Sequence, residues 1–149
     1  MDNGVTATLE HIWQVQHFLS DFAGQLTERG IEHDASKLRE PELTAFAKAN
    51  KMLSQHEYGS EGYHKARIEG LGPALTHHYQ NNRHHPEHHQ NGVNDMTLVD
   101  LVEMWCDWRA AVLRQKNGDL IKSIDINEQR FGLSAQLAQI LRNTAKLSD

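Results

Sequence analysis

Cysteine is nearly missing from this sequence: Cys106 is the only one in 149 residues. A lone thiol excludes an internal disulfide and a cysteine-cluster zinc site, and it fits a reducing, cytoplasmic setting. Long apolar runs are missing too, so neither a membrane span nor a membrane partner is expected. The opening Met-Asp-Asn-Gly lacks the basic stretch and apolar run that mark secretion. No strand-like alternation and no internal repeat stands out. Basic residues are outnumbered, 15 Lys and Arg against 20 Asp and Glu, for a net charge of −5 with histidine neutral. They are also scattered, which argues against a duplex nucleic-acid surface and leaves a small molecule as the expected phosphorylated partner.

Histidine, by contrast, is in excess. There are 11, and six of them fall between His77 and His89. An expression tag is an unbroken terminal run, whereas this cluster is internal and interrupted, so it calls for a chemical explanation. The length is about that of one domain and allows a core without staples; residues 1–149 are expected to form a single domain.

The apolar spacing is helical. Leu9, Ile12, Val15, Leu19, Phe22 and Leu26 predict a first helix from about Thr8 to Arg29, stopped by Gly30. His33 to Leu38 reads as a short helical turn, and Pro41, flanked by Glu40 and Glu42, opens a helix carrying Leu43, Phe46, Ala47 and Leu53. Gly59, Ser60 and Gly62 mark a loop; Gly70, Gly72 and Pro73 mark a break before a helix ending near Asn81. Residues 81–95 are too polar and broken for a regular element. Thr97 caps a strong helix to about Gln115, and residues 119–146 give one or two more, interrupted near Gly132. The expected fold is all-α, a single compact bundle of about five to seven helices.

Four groups of residues can carry chemistry. In His33-Asp34-Ala35-Ser36-Lys37, adjacent imidazole and carboxylate can reach one divalent cation, and the Lys37 ammonium can meet a phosphate oxygen. Alternatively, Asp34 caps a helix and its neighbours are solvated. On the first helix His11 shares the face of Val15, Phe18 and Phe22, so it is expected to point inward and His17 outward. A buried His11 is either a ligand or a core histidine bonded to a carbonyl. In the histidine-rich stretch His78 follows Leu71 and Leu75 at helical intervals and is a better ligand candidate than His77. Arg83 and the imidazoles of His84, His85, His88 and His89 can neutralise an anion, bind metal or simply line a solvated loop. Finally, Asp100, Glu103 and Asp107 form an acidic stripe opposite Leu101, Trp105, Trp108 and Val112. Periodicity alone reads that stripe as solvated.

Taken in order, a histidine, a His-Asp pair some twenty residues later, further histidines and a late helical aspartate resemble the HD superfamily of metal-dependent phosphohydrolases. His33-Asp34-Ala35-Ser36-Lys37 looks like its His-Asp-x-x-Lys signature. His84-His85-Pro86-Glu87, Asn91-Gly92 and the helix around Asp107 are similar in order to the HD-GYP branch. The GYP triplet is absent, so cyclic-dinucleotide hydrolysis is not implied. From about residue 8 to 145 the chain looks most like short HD-like proteins of bacteria and phages with His-Asp-x-Ser-Lys and Asn-x-His-His-Pro-Glu-His motifs. The resemblance implies an HD-domain-like bundle holding one or two divalent ions, Mn, Fe, Zn, Co or Ni. His11, His33, Asp34 and Asp107 would hold the first; His78, His84 and His85 would serve a second ion or the substrate phosphate, with Asp34 as bridge. It implies hydrolysis of a small phosphorylated molecule, a nucleotide first, with Asp34, Lys37 and Arg83 as the catalytic residues. The rival readings are an HD-type di-iron oxygenase and a non-catalytic, metal-stabilised module that binds a nucleotide or a protein.

Overall fold

A computed structural model describes residues 3–56, 60–115 and 117–147. They fold as seven α-helices with three short 3-10 turns, and no strand occurs among them. The chain divides into two units, Met1–His33 and Asp34–Asp149. No helix among the described residues is long and apolar enough to cross a membrane.

The first unit is one helix, α1 (Asn3–Glu32), about 45 Å long at 1.5 Å per residue. It does not stop at Gly30 as expected. An interior glycine costs a helix only about 1 kcal/mol, and here the helix continues two residues beyond it. His11 is exposed on α1, and so is His17, 3.5 Å from Asp21. This unit is a single helix and so supplies no surface of its own toward which His11 could point inward.

In the second unit, the 3-10 turn Ala35–Leu38 leads into α2 (Glu42–Leu53), α3 (Glu61–Leu71) and α4 (Pro73–Asn81). Ser60 Oγ accepts from the Tyr63 amide to cap α3, and Gly72, at φ 45°, turns the chain so that Pro73 can open α4. These helices meet around Ala49, Leu71 and Leu75. Residues 81–95, expected as irregular loop, contain two 3-10 turns, Pro86–His88 and Gly92–Asp95. Then α5 (Leu98–Leu113) begins with a reciprocal cap: Thr97 Oγ1 accepts from the Asp100 amide while Asp100 Oδ2 accepts from the Thr97 amide. Asp119 and Ser134 cap α6 (Leu120–Phe131) and α7 (Ala135–Ala145), separated at Gly132, φ 61°. The larger core lies among α5, α6 and α7, built on Met104, Trp105, Trp108, Ile124 and Leu141. Complete burial of a side chain such as Ile124 contributes roughly 1.5–3 kcal/mol.

Candidate metal centre

The polar counterpart of these cores is a group of histidines and acids shared by α2, α4, α5 and the 35–38 turn. It starts from an unusual backbone position. Asp34 is the one non-glycine residue with positive φ, 56°, among the described residues. Such a conformation costs a residue with a Cβ of order 1 kcal/mol or more. Although Asp34 stands at the cap position of the turn, its side chain makes no capping hydrogen bond. Its Oδ2 instead accepts from Lys37 Nζ at 2.6 Å, and its Oδ1 faces His78 Nε2 at 3.4 Å and His84 Nε2 at 3.8 Å.

His78 lies on the inner face of α4 and is 2% exposed. Its Nδ1 donates to Glu42 Oε2 at 2.8 Å, which leaves the Nε2 lone pair directed at His85 Nε2, 2.9 Å away. His84, 1% exposed, has a carboxylate near each ring nitrogen: Nδ1 lies 3.0 Å from Glu103 Oε1 and Nε2 lies 3.8 Å from Asp34 Oδ1. A carboxylate behind the far nitrogen of a ligating histidine fixes its tautomer and raises its basicity. Two of the three histidines have one.

Glu42 is the anchor of this outer layer. Fully buried at the first turn of α2, it also accepts from His77 Nδ1 at 2.7 Å and from Ser36 Oγ at 2.9 Å. Asn82 in turn donates to Ser36 Oγ at 2.7 Å and to the His78 carbonyl at 2.8 Å. Ser36 and Asn82 thus hold the carboxylate that holds His78. Sequence reasoning missed Glu42, reading it only as an acid favourable near a helix start. The available signal was its register: Glu42, Ala45, Phe46 and Ala49 share one helical face, and an acid on an apolar face needs partners.

Asp34, His78, His84 and His85 each present one ligand atom, all within 4.8 Å of one another. Bound to one ion at 2.0–2.1 Å in tetrahedral geometry, such atoms would stand about 3.3 Å apart. Three of the six separations, 2.9, 3.4 and 3.8 Å, straddle that value, and all six stay within 4.8 Å, so the four atoms can close on one divalent ion by side-chain movement. Three imidazoles and a carboxylate suit Zn, Fe, Co, Ni or Mn. Burial, then the neighbouring His84 and His78, hold the His85 pKa far below the usual 6.5 of histidine. Burial and Lys37 lower that of His78 as well, against the opposite pull of Asp34 and Glu42. Both rings are therefore neutral near pH 7, the form that ligates.

The other expected site residues are placed as follows. Asp107, half-buried on α5, brings a carboxylate oxygen within 4.8 Å of a His84 nitrogen. His33 ends the first unit, next in sequence to Asp34, and His11 enters no ligand group among the described residues. The four-residue group includes His78, His84 and His85, to which the resemblance gave a secondary role, together with Asp34, which it gave to both positions. Lys37 pairs with Asp34 and sits 4.8 Å above the Phe46 ring. Arg83 has a structural partner instead of a free guanidinium, since Nε and Nη2 fork onto Oδ1 and Oδ2 of buried Asp100 at 3.3 and 3.2 Å. Asp100 and Glu103 are buried, so the solvated reading of the acidic stripe is corrected for these two; Arg83 and His84 of the histidine-rich loop meet them, and Thr97 also donates to Asp100. His88 Nδ1 donates to the Tyr79 carbonyl and His89 Nε2 to that of Arg83, both at 2.9 Å. These two histidines brace the loop that carries His84 and His85.

A family model matches residues 2–147 of the chain. The chain belongs to DUF5662, a family of unknown function. No curated protein and no solved structure matches it.

Proposed function

We propose that this protein is a divalent-metal-dependent phosphohydrolase acting on a small phosphorylated substrate, a nucleotide first, with Asp34, His78, His84 and His85 as the metal ligands. The observation that carries the reading is the double layer: four donor atoms spaced for one ion, backed by Glu42 and Glu103 on the far nitrogens of two of the histidines. The similarity of His33-Asp34-Ala35-Ser36-Lys37 to the HD signature supports the choice of phosphoryl chemistry.

A divalent ion in such a site supplies Lewis acidity toward a phosphoryl oxygen and lowers the pKa of bound water. Asp34 divides its two oxygens between the histidines and Lys37. Lys37, one-third exposed, can shift its ammonium from Asp34 to a substrate phosphate and offset negative charge there. Asp107, beside His84 and half-buried, would take up a proton at the edge of the cage.

One observation favours the second reading, a metal-stabilised binding module without turnover. Four protein donors complete a tetrahedral shell, the mark of closed structural sites, whereas catalytic zinc keeps a position open. Six-coordinate ions escape this limit, because four ligands leave them two positions. The test is to measure the metal content of tag-free protein and assay it with Mn, Fe, Co, Ni and Zn against a nucleotide panel. Turnover with the six-coordinate ions, weak turnover with Zn, and loss of both metal and activity in Asp34→Ala and His78→Ala are expected. Stoichiometric metal with no turnover under any ion would select the binding module, and full occupancy and activity in both variants would refute the site.

A further inference from the structure

The first unit is one helix, and a single helix cannot bury its own apolar face. On α1 Val5, Ile12, Leu19 and Leu26 recur at seven-residue intervals, and Val15 and Phe22 follow Ile12 and Leu19 by three. The two seam positions of a heptad are thus apolar through the middle of the helix, with Thr8 and Arg29 entering the seam only toward its ends. The acids avoid this seam. At 100° per residue Glu10, Asp21, Glu28 and Glu32 all fall within about 20° of the direction opposite Ile12. Ile12, Val15 and Leu19 are 43%, 42% and 65% exposed, and Trp13 and Phe18, which flank the seam, are exposed as well.

We propose that α1 pairs with α1 of a second copy as an antiparallel two-helix coiled coil, and that the protein is a homodimer through this seam. A strict seven-residue repeat keeps its stripe on a neighbour only if the two helices wind around each other, and a second copy offers a stripe of the same period and length. The area suffices. A third of the circumference of a helix about 10 Å across and 45 Å long is roughly 500 Å². Two such faces bury about 1,000 Å², which reaches the lower bound of a specific interface.

Charge selects the direction. Asp21, Glu28 and Glu32 crowd the C-terminal half of α1, while the N-terminal half carries Glu10 alone among the described residues. A parallel pair would gather both sets of carboxylates at one end and set Arg29 against its own copy. The antiparallel pair spreads the acids over both ends and opposes the two helix dipoles. It also stacks unlike sizes in the seam: Val15 meets the partner's Leu19, and Ile12 meets the partner's Phe22. At each end the aliphatic stem of Arg29 covers the partner's Val5 while the guanidinium reaches solvent.

Light scattering on the full chain at micromolar concentration tests the dimer. Wild type should give twice the 17.0 kDa of one chain. Ile12→Asp with Leu19→Asp should weaken the pairing roughly a hundredfold or more and give the single mass, whereas Gln14→Glu, on the polar face, should leave the mass doubled. Cysteine cross-linking reads the direction without depending on the aspartate variants folding. In a Cys106→Ser background, which removes the sole native thiol, Val15→Cys and Leu19→Cys proteins are mixed and oxidised, and the products are identified by mass. The mixed Val15→Cys with Leu19→Cys species should dominate over both self-linked species. A single-chain mass for wild type overturns the proposal, since the seam is then covered within one chain or left open. Each cysteine variant linking mainly to itself overturns the antiparallel pairing.

Discussion

Glu42→Gln perturbs the least visible part of the site. The replacement keeps the shape of the side chain but exchanges one carboxylate oxygen for an amide that donates. Glu42 accepts from His77 Nδ1, His78 Nδ1 and Ser36 Oγ at 2.7, 2.8 and 2.9 Å, and no water reaches it. The glutamine can satisfy the donors on its carbonyl side only, so either His77 or the His78–Ser36 pair faces an N–H. If His78 loses its acceptor, its proton is no longer held on Nδ1 and its Nε2 is a poorer, less fixed ligand. Removing such an outer carboxylate typically weakens metal binding by about 10–100-fold, or about 1.4–2.7 kcal/mol. The assay is competition with a chelator of known affinity for zinc, with helicity followed by circular dichroism. Glu69→Gln, which changes an exposed acid paired only loosely with Lys65 at 3.9 Å, is the control and should match wild type. A folded Glu42→Gln protein that binds zinc within twofold of wild type would refute the assignment of Glu42 as the group that orients His78.

Acid should weaken the metal-free protein. The His78 and His85 pKa values lie below the ordinary 6.5 in the folded state, so the unfolded chain takes up protons first as pH falls. Their contribution to stability is complete above about pH 6.5 and is lost progressively below it; melting of metal-free protein at pH 8 and pH 5 should show a lower Tm at pH 5, and equal values would contradict the burial of neutral rings. Arg83→Ala should destabilise by roughly 1–2 kcal/mol through loss of the Asp100 fork, with metal content unchanged; unchanged Tm with selective loss of activity would restore the catalytic role expected from sequence. His88→Ala and His89→Ala should each cost about 1 kcal/mol of stability while keeping the metal; metal loss from either would place it in the cage.

The helices were legible because their start and stop signals are local. Thr97, Pro73, Gly132 and the apolar spacing around Met104 and Trp108 place element boundaries to within a few residues. Gly30 misled because a glycine weakens a helix without ending it unless the next residues favour another path. In the candidate site, His78 was legible through its phase with Leu71 and Leu75. Periodicity could not tell His84 and His85 from His88 and His89, since a loop has no period and all four share one composition; only the family resemblance singled out the first pair. Only the 3-10 turn at 86–88 sends the first pair toward Asp34 and the second toward backbone carbonyls. Glu103 misled for a related reason: a helix wheel shows where the apolar face is, but not that a buried imidazole waits on the other side. Glu42 and His78 stand 36 positions apart, and no local pattern announces their pairing.

The most direct measurement is a crystal structure of metal-loaded protein with anomalous data collected at the absorption edge of the bound ion. The expected result is one strong peak about 2.0–2.2 Å from Asp34 Oδ1 and from the Nε2 atoms of His78, His84 and His85. A peak held instead by His88 and His89, or a cage in which those four atoms surround no metal, would contradict the account.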